Sequence, residues 1–181
     1  RSSKAFFPSF GSISCYNSIF TCNLLLFSCI LCNFTVFLHI NFALECARSA
    51  VPKGERQKVI FSDSSWVVLN AQSTMKYPVV FRGKERKVYV EGEAYFEVTR
   101  DEEHPFIVSV KNFDVRVLGT SFNVMSYDDE FASSVTLLSG KVETTSGHDT
   151  VRLSPGEQVS ITSDNRMTVQ KTDINVVVSW M

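Results

Sequence analysis

Few residues of this chain could do chemistry, and their spacing is the first thing to weigh. His39, His104 and His148 fall in three unrelated contexts. His148 sits in the polar run Ser146-Gly147-His148-Asp149 and His104 precedes Pro105, so both read as solvated surface residues. An acid–base or nucleophilic centre needs groups that converge, and nothing in the spacing brings these together. Serines are plentiful, yet no Gly-x-Ser-x-Gly elbow occurs, nor does a glycine-rich phosphate loop. Cys29-Ile30-Leu31-Cys32 has the C-x-x-C spacing. Without a second pair of ligands or a surrounding βαβ pattern, these cysteines read as small apolar residues rather than a redox or zinc site. Cys15, Cys22 and Cys29 recur every seven residues, a spacing that would put them on one helical face, although coincidence is the better account. The expectation is a protein that is not an enzyme, with no cofactor and no metal.

The remaining polar clusters suit contact better than catalysis. Glu91, Glu93 and Glu97 are evenly spaced, which on a strand places them on one face, expected to be the wet one. Asp101-Glu102-Glu103 reads as a solvated loop. Arg82, Lys84, Arg86 and Lys87 form a basic cluster, and Trp66, Tyr89 and Tyr95 fall at or near positions that could face outward, with core packing the stronger expectation for Trp66. Aromatic and arginine side chains dominate interface hot spots. The candidate partner-contact residues are therefore Arg82, Lys84, Arg86, Tyr89 and Tyr95.

The elements that must position these side chains divide sharply. The 181 residues allow one domain with a real core. Eighteen basic residues against 19 acidic give a net charge of −1, so there is no electrostatic case for direct nucleic-acid binding. From Ala5 to Leu44 there is no Asp, Glu, Lys or Arg, and all five cysteines lie at or before Cys46. The β-rich part is thus expected to hold together by its core, without a disulfide framework. Ile19 to Leu44 is long and apolar enough to cross a bilayer as a helix, with Asn23, Asn33, Asn41 and His39 as polar interruptions. Two other readings stand beside it. One is a secretory signal, given the small residues around Ala43 to Ala47. The other is an opening not native to the domain, given a start at Arg1 crowded with Phe, Cys, Ser and Asn. Arg1 and Lys4 precede the segment while Arg48, Lys53, Arg56 and Lys58 follow it, which by the positive-inside rule would put the C-terminal side in the cytoplasm.

After Val51 the pattern becomes period two. Ala94, Phe96 and Val98 share one face, and so do Phe106, Val108 and Val110. Val115 with Val117, Phe122 with Val124, Val135 with Leu137, and Val159 with Ile161 continue it. Such alternation marks half-buried strands. Turn signals separate them at Arg82-Gly83-Lys84-Glu85, Gly92, Gly119, Gly140, Ser146-Gly147-His148-Asp149 and Ser154-Pro155-Gly156-Glu157, the last with the Pro-Gly order of a type II turn. About ten to twelve strands at this spacing indicate a sandwich, a barrel or a β-solenoid.

Several strings then carry a resemblance. They are Pro52-Lys53-Gly54-Glu55-Arg56, the run from Ser62 to Ala71 (SDSSWVVLNA), Ser73 to Pro78 (STMKYP), Phe81 to Arg86 (FRGKER), Val90 to Val98 (VEGEAYFEV), His104 to Val108 (HPFIV), Val115 to Val124 (VRVLGTSFNV) and Leu153 to Gln158 (LSPGEQ). In this order the chain resembles the FecR domain of transmembrane anti-sigma factors of Gram-negative bacteria. The resemblance implies an all-β domain, a two-sheet sandwich or solenoid-like, preceded by an apolar transmembrane helix. It implies an inner-membrane regulator with the β domain in the periplasm. Its partners would be an extracytoplasmic-function sigma factor, reached through a missing N-terminal part, and a TonB-dependent outer-membrane transducer, reached mainly through a missing C-terminal domain. The inducing substrate would be an iron chelate or a glycan. One departure stands out: the family usually has Asp-Gly-Ser where this chain has Asp63-Ser64-Ser65. If that position needs φ > 0, serine costs about 1 kcal/mol there.

The expected organisation is a leader at 1–18, an apolar segment at 19–44, a linker at 45–52, the β domain at 53–171, and the start of a truncated C-terminal region at 172–181. The competing expectation, from the aromatic-rich pattern, is an anchored or secreted ligand-binding module of carbohydrate-binding type.

Overall fold

The computed structural model describes residues 46–181. Among them are thirteen strands and one short helix. β1 (Cys46–Ala50), β2 (Gln57–Ile60), β3 (Trp66–Leu69) and β4 (Thr74–Pro78) precede the long β5 (Arg86–Glu97). After it come β6 (Phe106–Val110), β7 (Phe113–Val117), β8 (Ser121–Ser126) and β9 (Ala132–Ser139). β10 (Val142–Ser146), β11 (Asp149–Leu153), β12 (Glu157–Thr162) and β13 (Met167–Lys171) complete the set, and α1 (Ile174–Val177) closes the chain.

The strands form two layers joined by β5. In the first sheet the order is β1-β4-β5-β6-β7-β10-β11, and in the second β2-β3-β5-β8-β9-β12-β13. Among the described residues every pair is antiparallel except β5 with β6. Among the architectures the sequence left open, this pairing describes a nearly closed sandwich of two sheets sharing β5, because a solenoid stacks its coils through parallel pairs. The alternation read from sequence is the observed one. Val88, Val90, Ala94, Phe96, Phe106, Val108, Val115, Val117, Phe122, Val124, Val135, Leu137, Val159 and Ile161 all fill the space between the sheets. Phe96 stacks on Phe122 with ring centroids 5.2 Å apart.

Gly92 is where the structure departs from the turn expected at Glu91-Gly92-Glu93. There is no turn. Residues 86–91 of β5 pair in the first sheet and residues 92–97 in the second. Gly92 has φ 100°, and a Cβ on it would lie 2.5 Å from Ser73 Oγ and 2.7 Å from Ser73 Cα. Only glycine fits a backbone approach that close. Ser73 secures the bend: it accepts from the Glu93 N–H at 2.8 Å and donates to the Glu93 carbonyl at 3.0 Å.

One segment also differs. Residues 45–52, expected as a linker, contain β1, which pairs with β4 along its whole length, and Val51 belongs to the core. The polar and small residues of β1 hid it: only the side chain of Ser49 is buried within the strand. One thiol therefore does lie in the β unit, the exposed Cys46. Beyond β13, Asp173 caps α1 by accepting from the Asn175 N–H at 2.9 Å. Other local expectations match. The Glu157 N–H donates to the Ser154 carbonyl at 3.0 Å with Gly156 at φ 85°, closing the type II turn. Ser64 has φ 67°, the conformation in which serine is disfavoured. The apolar segment at 19–44 lies outside the described residues, and among those described no helix is long and apolar enough to cross a membrane.

Candidate functional site

The five candidate contact residues separate into surface and interior. Arg82 and Lys84 are exposed on the loop between β4 and β5. Arg86, the first residue of β5, points inward and is only 4% exposed. It holds three segments together. Nη1 donates to Asp63 Oδ2 at 2.6 Å and to the Thr99 carbonyl at 3.1 Å, Nε donates to the His104 carbonyl at 2.8 Å, and the guanidinium lies 5.4 Å from the Phe106 ring centroid. Asp63 is fixed from the other side: Ser65 donates through its N–H and its hydroxyl, and Ser65 Oγ accepts the Thr99 N–H at 2.9 Å. Arg86 thus serves the fold, closing the end of the sandwich where β5 begins.

Tyr95 is also inside. It lies on the outer face of the second sheet, yet it is buried by its neighbours and donates to Glu97 Oε2 at 2.9 Å. Burial and the adjacent Glu97 push its phenol up to about 12. The expected wet face of Glu91, Glu93 and Glu97 needs the same correction. Glu91 is exposed and Glu97 half-buried, but Glu93 is buried between two amides, with Asn70 Nδ2 at 2.7 Å and Asn123 Nδ2 at 2.9 Å. Ser121 donates to Glu97 at 2.8 Å, and Ser134 and Thr136 are buried alongside. A layer of hydrogen-bonded polar side chains therefore covers the outer face of this sheet. Trp66 sits at its margin, facing out rather than into the core, 5.6 Å from the Tyr95 ring with Lys58 Nζ 4.0 Å above it.

Tyr89 alone among the candidates presents an aromatic ring on an open face. It is 54% exposed on the outer side of the first sheet, with Lys87 Nζ 5.5 Å from its ring. It lines a groove of about 580 Å³ together with Lys76, Glu91, Lys111, Asp114 and Asp128. Lys111 donates to Asp128 at 2.6 Å; the pairing raises the lysine's pKa and lowers the aspartate's. Ser109 donates to Asp114. The groove is charged, with Lys111 paired to Asp128 and Ser109 to Asp114, which suits recognition of a polar partner rather than proton transfer. The sequence offered one sign of its other members. Lys76 follows the buried Met75 in β4 and must face out; Asp114 reaches the groove from β7, Lys111 from the β6–β7 turn and Asp128 from the β8–β9 loop.

The two described histidines are peripheral, and His39 lies outside the described residues. His104 Nδ1 lies 2.9 Å from Asp101 Oδ2, and this partner lowers the Asp101 pKa. His148 is exposed in the β10–β11 turn. Among the described residues no group of three or more His, Cys, Asp or Glu is placed to hold a metal ion.

A family model described as FecR protein matches residues 47–143. The chain belongs to the FecR family. The match begins inside β1 and runs into β10, so it takes in both halves of β5 and the Arg86 cluster. The FecR domain is also similar to two crystal structures of a candidate anti-sigma factor from Parabacteroides distasonis, at 2.50 and 1.65 Å resolution. Both are 38% identical to it, with TM-scores of 0.73 and 0.72, over 75% and 74% of this chain. The chain spans 64% of the length of each. No curated protein matches it.

Proposed function

We propose that this chain is part of a membrane-anchored anti-sigma regulator that works by protein–protein contact. The observation that carries the reading is the FecR match combined with 38% identity to the Parabacteroides structures. The geometry agrees in kind: the buried polar clusters around Arg86 and Glu93 are spent on holding β5 in place, and the open face around Tyr89 offers charged side chains and an aromatic ring. On this reading the apolar segment at 19–44 anchors the protein in the inner membrane. The β domain lies in the periplasm and relays a signal from a TonB-dependent transducer to an extracytoplasmic-function sigma factor. The charge flanks of the segment argue for the opposite orientation, and a reporter fused after Lys171 would decide between the two sides.

The relay is tested by deleting residues 46–171 from the chromosomal gene and measuring sigma-dependent transcription. Loss of the response to inducer is expected; a normal response would sink the relay. A second reading, a carbohydrate-binding module, is favoured by the exposed Tyr89 ring beside the polar groove. Calorimetry against a panel of glycans tests it, and binding abolished by Tyr89→Ala would favour it over the relay.

A further inference from the structure

Of the nine large apolar side chains exposed among the described residues, four share one end of the sandwich. Ile60, Val79, Val80 and Leu118 are 69%, 56%, 47% and 42% exposed. Strand register places all four at one end of the sandwich. Val79 and Val80 follow Pro78, the end of β4, which pairs with Cys46. Leu118 follows Val117, which pairs with Phe106, and Phe106 pairs with Arg86. Ile60 pairs with Trp66, which pairs with Glu97. Asp63 and Thr99, both bonded to Arg86, tie the two sheets together at this same end. Phe131, 86% exposed, lies at the opposite end, in the loop beyond Ser126, which pairs with Gly92.

The chain reaches the domain at the apolar end. Cys46, the first residue of β1, is two residues beyond Leu44, the last of the uncharged run. Two residues span at most about 7 Å. If that run crosses a bilayer, the end carrying Val79 and Val80 stands within a side chain or two of the lipid headgroups. We propose that this end of the FecR domain rests on the lipid surface, with Val79 and Val80 buried at the headgroup–acyl boundary and Leu118 and Ile60 at its margin. Arg82, Lys84, Lys87 and Arg100 lie in the segments at this end, and Glu85 with the acidic run 101–103 offsets them. Apolar burial, not net charge, therefore drives the contact, since interfacial binding scales with the apolar area buried. The proposal rests on the membrane anchorage proposed above. It adds an orientation: the groove around Tyr89 would lie on the flank of a domain docked by its end.

The test uses the full chain in liposomes of phosphatidylcholine and phosphatidylglycerol, with a photoreactive benzophenone side chain placed at Val80 or, in a second protein, at Phe131. Several-fold more lipid adduct from position 80 than from position 131 is expected. Equal labelling, no labelling, or adducts to a second copy of the chain at position 80 would overturn the proposal. Alkaline carbonate extraction of the same liposomes separates the two readings. A chain that stays with the lipid but gives no adduct at position 80 overturns only the docking; a chain that is stripped off overturns the anchorage and the docking together. With the probe at Leu118, the double variant Val79→Ser, Val80→Ser should lose most of the lipid adduct while keeping its β-sheet circular dichroism. Unchanged adduct would show that the valines do not hold the domain to the surface.

Discussion

The two halves of β5 obey the same alternation and live in different surroundings. In residues 86–91 the inward side chains are buried, while Tyr89 and Glu91 are exposed. In residues 92–96 every residue is buried, on both sides of the strand. The difference comes from the neighbours. Beside the first half the facing residues are Lys76 and Ser109, which leave a groove. Beside the second they are Asn70, Ser121 and Asn123, whose hydrogen bonds to Glu93 and Glu97 close the surface. Alternation in sequence thus fixes which way a side chain points, but not whether water reaches it.

The largest effect should come from the start of the strand. Arg86→Leu removes one partner of a buried ion pair and leaves Asp63 without its guanidinium, so urea denaturation should show a loss of about 3 kcal/mol or more. A loss below about 1 kcal/mol would mean that Arg86 does not hold the closed end, against the usual cost of breaking such a pair. At the junction of the halves, Gly92→Ala places a Cβ against Ser73 and a left-handed backbone on an L-residue. The expected cost is about 2–4 kcal/mol by thermal or urea melts. A near-neutral result would show that the two sheets do not need this bend.

In the second half, Glu93→Gln keeps the shape but turns an NH₂ toward one of the two amide donors. A loss of about 1–3 kcal/mol is expected, the cost of an unsatisfied buried polar group. The phenol of Tyr95 gives a pH handle on the same layer. Its pKa is about 12 when folded against 10 for an ordinary tyrosine. The unfolded chain therefore loses this proton first, and the stability that neutral Tyr95 contributes is present below pH 10 and lost as pH rises toward 12. Tyr95→Phe should flatten that part of the stability profile; an unchanged slope would assign it to other groups. On the open half, Tyr89→Ser should change stability by no more than about 0.5 kcal/mol, while altering any binding that uses the groove. A larger loss would mean that the face is not as free as it looks.

Much of this fold was legible in the sequence. The core residues follow from period two, and the SPGE turn follows from its Pro-Gly order. The strained Ser64 follows from a glycine expected by family resemblance. What stayed hidden depended on pairing. Gly92 looked like a turn because glycine signals a break, and only the approach of Ser73 makes it a bend inside one strand. β1 looked like a linker because its outward residues are polar or small and its ladder partner lies some thirty residues downstream. The candidate site was legible only in part, because Arg86 and Tyr95 carry the right chemistry for an interface but are taken up by Asp63 and Glu97. Lys111, Asp114 and Asp128 had no sequence signal pointing to the groove they share with Tyr89.

A strand that belongs to both sheets also sets the path of mechanical load. A pull entering at Cys46 passes through the β1–β4 and β4–β5 ladders into the backbone of β5. From there it crosses to the opposite sheet along covalent bonds, without relying on the side-chain contacts of the core. Neither sheet can be peeled away while the other keeps its full complement of strands, so tension on one end of the domain is felt as tension throughout it.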